Sequence, residues 1–161
     1  MSNQAAFAVP KDRQDVSVHL LSGQLLEGAI FLEYTPAALT VLQKVSAFLE
    51  DGNGFFPLCL KESGATEFIN KMNVRIVELS YPAEDEQNST ALSLMQSVNV
   101  TVLFLNEQTL GGALLAEVPR EKARLSDCLN LPNNFLSIKM DEKICYVNKN
   151  ALQKVVYAGK A

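Results

Sequence analysis

Two stretches of the chain carry the same pattern. "EFINKMNVRIV" occupies residues 67–77 and "CYVNKNALQKV" residues 145–155. Each is a run of strand-forming residues, then Asn-Lys, then a return to aliphatic residues with a valine at the end. A pattern that recurs in order constrains a fold strongly, because each copy must build the same small unit. The correspondence extends upstream. Setting Gly28 on Gly112 also sets Val16 on Val100, Val18 on Val102 and Ile30 on Leu114. Phe55 and Phe56 then match Phe135 and Leu136, and Ile69, Asn70, Lys71 and Val77 match Val147, Asn148, Lys149 and Val155. The separation shrinks from 84 to 80 to 78 residues along the chain, so the first copy holds extra residues in its middle.

The local patterns indicate what one copy builds. "VSVHLL" and "QLLEGAIFLEY" flank a turn at "SG", and "VNVTVLFL" and "TLGGALLAEV" flank "NEQ". Apolar runs separated by a short turn read as hairpins. Gly28 and the pair Gly111–Gly112 fall mid-strand, where glycine marks a bend, a bulge or a close backbone approach. "TPAALTVLQKVSAFLEDGNG" reads as a helix, with Pro36 near its start and "GNG" as its stop. Thr40 and Gln43 form a capping box that places the start later. In the second copy, Ser126 is expected to cap a single helical turn in "ARLSDCLNLPNN". "FFPLCL" and "NFLSIKM" are expected third strands, "ATEFIN" and "KICYVN" fourth strands, and "VRIVEL" and "LQKVVYA" fifth strands. The count per copy is five short strands and a helix, and the fold class is mainly β.

These elements divide the chain into a flexible segment at 1–14, a first barrel at 15–80, an acidic linker with a possible short helix at 81–97, and a second barrel at 98–161. The Asn-Lys pairs fall between fourth and fifth strands. Asparagine tolerates left-handed backbone angles and suits a reversal there. The lysine beside it can project into water, where it would add little to stability. Asn70, Lys71, Asn148 and Lys149 are therefore expected to shape the turns, with a ligand-contacting loop as the alternative.

The hairpin "VxVxLxxGxxLxGxI" at residues 16–30 and "INKxNVxxV" at residues 69–77 resemble the Sm-like family of small, bent five-stranded barrels, related in shape to SH3-like barrels. The resemblance spans residues 16–79 and 98–157. The second copy, with "RLSDCLN" and "VNKNALQKV", also resembles an uncharacterised bacterial family that carries Arg-Leu-Ser-Asp near its middle and an Asn-Lys turn near its end. The Sm-like resemblance implies two tandem barrels, edge-strand pairing and, for some members, RNA binding. RNA-binding members use an aspartate and an asparagine after the second strand, with a basic residue and glycine at the second motif. Here "LTVLQKV" offers neither acid nor amide in the first copy, Asp127 and Asn130 lie in the expected helical turn of the second, and Asn-Lys replaces the basic residue and glycine in both. Lys71 and Lys149 are the positions where that chemistry partly survives.

Charge and composition narrow the function classes. The net charge of −4 argues against general attraction to nucleic-acid phosphates. Residues 15–80 carry a balance of −4 and residues 98–161 one of +2, which could orient one unit against the other or against a partner. Arg120, Lys122 and Arg124 gather in "PREKAR", a solvated loop or a weak anion or acidic-partner site. The three cysteines, Cys59, Cys128 and Cys145, form no CxxC pair and read as reduced thiols in a cytoplasmic protein. With one histidine, His19, expected exposed on the first strand, neither a metal site nor a catalytic triad is expected. No cofactor is expected. The N-terminus lacks the charge and apolar run of a secretory signal, and no apolar stretch suffices to span a membrane. The sequence points to a non-catalytic protein-interaction or assembly module, self-associating or binding a protein through its barrel edges, with RNA binding as the alternative.

Overall fold

The structure, a computed structural model, describes residues 11–33, 39–80, 96–116 and 124–160. Its strands are β1 (Lys11–Leu20), β2 (Leu25–Glu33), β3 (Phe55–Leu60), β4 (Thr66–Asn70), β5 (Val74–Ser80), β6 (Gln96–Phe104), β7 (Thr109–Ala116), β8 (Phe135–Met140), β9 (Lys143–Asn148) and β10 (Leu152–Lys160). Two helices, α1 (Val41–Glu50) and α2 (Leu125–Leu129), and 3₁₀ turns at Lys71–Asn73 and Lys149–Ala151 complete the described elements. All ten strands form one open antiparallel sheet, in the order β10-β6-β7-β8-β9-β5-β1-β2-β3-β4. β1 begins at Lys11, inside the segment expected to be flexible, because residues 11–15 extend the ladder against β2. The possible helix in the linker lies outside the described residues, apart from Gln96 and Ser97, which open β6.

The two halves of the sheet repeat one pairing scheme. Val16 faces Gly28 as Val100 faces Gly112. Val18 faces Val77 as Val102 faces Val155, and Phe55 faces Asn70 as Phe135 faces Asn148. β2 shows why its residues form a half-buried strand: Leu26, Ile30 and Leu32 turn inward while Leu25, Glu27, Phe31 and Glu33 face out. Gly28 and Gly112 permit close backbone approach. A Cβ at Gly28 would lie 2.3 Å from the carbonyl oxygen of Cys59, and one at Gly112 would lie 2.6 Å from that of Lys139. Gly111 has no such constraint, since its nearest neighbour would be 3.7 Å away.

α1 starts where the capping box places it. The Gln43 amide donates to Thr40 Oγ1 and the Thr40 amide to Gln43 Oε1. Leu42, Val45 and Leu49, at helical spacing, bury one face against the sheet. α2 is shorter than α1, and Arg124 rather than Ser126 occupies its N-cap, with no side-chain cap bond. Ser126 instead lies within the helix, and its carbonyl accepts from the Asn130 amide and side chain.

Two apolar clusters lie along the sheet. The first gathers Val16, Val18, Ile30, Leu42, Val45, Leu49, Leu58, Val77 and Leu79, and the second Val100, Val102, Phe104, Leu114, Leu136 and Ile138. The clusters exchange residues at the seam between β5 and β9. Phe135, Ile144 and Tyr146 belong to the first cluster, while Ile76 belongs to the second.

Candidate protein-interaction site

The site is best understood from the seam, where two strand edges already meet. Across β5 and β9, Ile76 faces Val147, Val77 faces Tyr146, Glu78 faces Cys145 and Leu79 faces Ile144. Residues two apart along a strand share a face. One face of the seam therefore carries Val77, Leu79, Ile144 and Tyr146 into the first cluster, and the other carries Ile76, Cys145 and Val147 into the second. Polar contacts lock the joint. Tyr146 Oη donates to the carbonyl of Leu42 in α1, at 3.0 Å. The buried Asn148 Nδ2 donates to the carbonyls of Lys71 and Val74, at 3.2 and 2.8 Å. The Glu50 carboxylate accepts from the backbone amides of Asn134 and Phe135, at 2.8 and 2.9 Å. Lys143 Nζ lies 3.4 Å from Glu78 Oε1.

β4 and β10 lie at the two ends of the sheet order, so each has one partner strand among the described residues. An edge strand presents unpaired backbone donors and acceptors. Among the described residues, four of the five most exposed large apolar side chains lie on or beside these edges: Phe68 (70% exposed), Met72 (69%), Phe55 (57%) and Tyr157 (56%). Their counterparts at the seam behave oppositely. Phe135, in the place of Phe55, is 4% exposed, and Tyr146, in the place of Phe68, is 1% exposed.

The Asn-Lys turns differ from expectation in two respects. Asn70 and Asn148 have φ of −75° and −69°, in the extended region rather than the left-handed one. They shape the turns by capping, since their side-chain oxygens accept from the amides of Met72 and Asn150, both at 3.0 Å. The lysines do not project into water. Lys71 is 9% exposed, and its Nζ bonds Asp51 Oδ1 at 2.6 Å and the carbonyls of Phe48 and Asp51 at 3.3 and 3.4 Å. Lys149 Nζ donates to the carbonyl of Leu131 at 2.7 Å and to Asn133 Oδ1 at 3.1 Å. Each lysine thus ties the chain after a helix to its own turn, satisfying carbonyls that a helix C-terminus leaves unpaired. Partial burial raises the Asp51 pKa, but the hydrogen bond and charge of Lys71 together with the hydrogen bonds from Asn53 outweigh it and hold the carboxyl below its ordinary value. Burial lowers the Lys149 pKa, with Glu50 opposing it.

The other sequence candidates are scattered. Arg124 is exposed and pairs with Asp127 at 3.2 Å, while Arg120 and Lys122 lie outside the described residues. His19 is half-buried rather than exposed. Its Nε2 lies 3.7 Å from Glu78 Oε1, and burial lowers its pKa against the opposing pull of Glu78. The cysteines are unpaired, and burial pushes the Cys145 thiol up to about 11. Among the described residues, no group of three or more His, Cys, Asp or Glu could hold a metal ion. No helix among them is long and apolar enough to cross a membrane.

One feature escaped the sequence altogether. A cavity of about 450 Å³ opens between α1 and the second half of the sheet, lined in part by Leu39, Leu42, Ser46, Leu131, Ser137 and Tyr146. Glu50, the one acid on its wall among the described residues, is engaged in the seam. No local signal reveals the cavity, because its walls come from distant parts of the chain. No family model, curated protein or solved structure matches the chain.

Proposed function

We propose that this chain is a non-catalytic assembly module of the cytoplasm. In this reading two Sm-like barrels, residues 15–80 and 98–161, are fused side by side, and the outer edges β4 and β10 each receive a strand of another protein chain. The observation that carries the reading is the concentration of exposed apolar side chains on or beside the two edge strands. Antiparallel strand addition satisfies the backbone groups of an edge, and alternate side chains select the partner. The free cysteines accord with a reducing compartment. The RNA-binding alternative has less support. The two lysines on which it rested are engaged with carbonyls and Asp51, and the chain is acidic.

The test is cross-linking followed by isolation of the tagged full chain from its own cells. The wild-type chain should carry a stoichiometric protein, either a second copy or another polypeptide. A variant with both edges blocked, Phe68→Asp with Tyr157→Asp, should lose it. An unchanged cross-linked set in the blocked variant would refute the reading.

A further inference from the structure

The seam inside the chain specifies how the two outer edges would meet. We infer that β10 of one molecule pairs antiparallel with β4 of a second copy, in the register that β5 makes with β9, giving a head-to-tail assembly. The inference rests on the reading of β4 and β10 as docking edges and names their partner.

The register follows from the pairing common to both halves. β10 occupies the place of β5, with Lys154 for Ile76, Val155 for Val77, Val156 for Glu78 and Tyr157 for Leu79. β4 occupies the place of β9, with Ile69 for Val147, Phe68 for Tyr146, Glu67 for Cys145 and Thr66 for Ile144. Copying the seam sets Lys154 opposite Ile69 of the second copy, Val155 opposite Phe68, Val156 opposite Glu67 and Tyr157 opposite Thr66.

Three observations fit this joint. The first is apolar. Phe55 and Phe68 are exposed at the positions whose counterparts, Phe135 and Tyr146, complete the first cluster. In the joint they would cover the second cluster of the neighbouring molecule, beside its Val155 and Tyr157. The second is a hydrogen bond. Asn148 Nδ2 crosses the seam to the carbonyls of Lys71 and Val74. Asn70 would reach the corresponding carbonyls of Lys149 and Leu152 in the neighbour.

The third observation is charge. On the second-cluster face of the seam, Ile76 and Cys145 are diagonal neighbours and both are apolar. At the outer edges these two positions are Lys154 and Glu67, both exposed. Diagonal side chains on paired strands lie within reach of long residues. The joint therefore replaces an apolar pair by an opposite-charge pair. Lysine or glutamate on an edge discourages pairing of like edges. β10 with β10 would bring lysines together, and β4 with β4 would bring glutamates together. A head-to-tail joint is heterologous, so it closes into a ring or continues as a filament. The outer joint also lacks one clamp of the seam, because Asn130 stands in the second half where Glu50 stands in the first.

The test uses full-length chains with one edge blocked each, measured by light scattering after size exclusion. Phe68→Asp blocks β4 and Tyr157→Asp blocks β10, and both side chains are exposed, so each variant should melt close to wild type. The wild type should run as a multimer and each variant alone as a monomer. Their mixture should give a 1:1 complex, because the intact β10 of one meets the intact β4 of the other. A second arm reverses charges. Glu67→Lys or Lys154→Glu alone should weaken association about tenfold, and the two together in one chain should restore it. A monomeric wild type with a mixture that fails to associate overturns the inference. So does a dimer abolished by one blocking variant and untouched by the other, which would mean pairing of like edges. If the wild type is monomeric but edge-dependent cross-linking in cells captures a different protein, the docking-edge reading stands and the second-copy inference falls. If neither association occurs, both fall.

Discussion

Replacing Lys71 by alanine is expected to lower the melting temperature by roughly 5–10 °C, although lysine in a turn is ordinarily a neutral position. The side chain is only 11% exposed and its ammonium makes three bonds, to Asp51 Oδ1 and to the carbonyls of Phe48 and Asp51. Hydrogen bonds to a charged group contribute about 1.5–3 kcal/mol, and a buried group left unpaired carries its own desolvation cost. The Asp51 carboxylate is 40% exposed and regains water when the lysine is lost, which limits the penalty on that side. The helix-end carbonyls and the packed lysine stem supply the rest, for a total of about 2–3 kcal/mol. In a chain of this length each kcal/mol moves the melting temperature by about 2–4 °C. The assay is calorimetry at one low protein concentration, so that association does not contribute. Lys71→Met, which keeps the stem, should lose less than Lys71→Ala, and Lys154→Ala, at an exposed edge position, should change little. If Lys71→Ala and Lys154→Ala melt together with the wild type, the inward tether does not hold the turn.

Other consequences can be checked in the same way. Gly28→Ala and Gly112→Ala should each cost more than about 1 kcal/mol by denaturant titration, since the added Cβ meets a backbone carbonyl at 2.3 or 2.6 Å; Gly111→Ala should be tolerated. Asn148→Ala should destabilise more than Asn70→Ala in the dissociated chain, because Asn148 adds two donated bonds across the seam to the cap bond that both make. Burial lowers the His19 pKa from its ordinary value of 6.5, so the native state binds fewer protons than the unfolded chain below that pH. Stability should therefore fall as pH drops from 6.5 through the native pKa and stay flat above it. His19→Gln should remove that slope in melting scans.

Local signals carried most of the element positions. The capping box of Thr40 and Gln43 located the start of α1, and "FFPLCL" marked β3 over its full extent. Gly28 and Gly112 announced close approaches that the backbone makes. What was not legible is long-range. The direction of Lys71 depends on α1 ending beside it, 20 residues upstream, and an Asn-Lys dipeptide looks the same whether its lysine meets carbonyls or water. Ser126 has the composition of a cap, but the chain enters the helix two residues earlier, at Arg124. The pairing of β5 with β9 joins residues 63 or more apart in sequence, with no turn between them to signal it. Tyr146 reads as an ordinary strand residue, and only the seam shows that it completes the core of the other half. The candidate site was half legible for the same reason. Edge pairing could be expected, but which strands remain at the edges depends on which pair is consumed inside the chain.

The central claim is that β4 and β10 are the surfaces through which one copy of this chain meets a second. Amide hydrogen exchange on the wild-type protein, followed from low micromolar concentration upward, tests it most directly. Outward-facing amides of residues 66–70 and 152–160 should gain protection together as concentration rises, while amides in β1 and β6, already paired on both sides, should keep theirs. Protection that is independent of concentration on both edges, or that rises on other elements instead, would contradict the account.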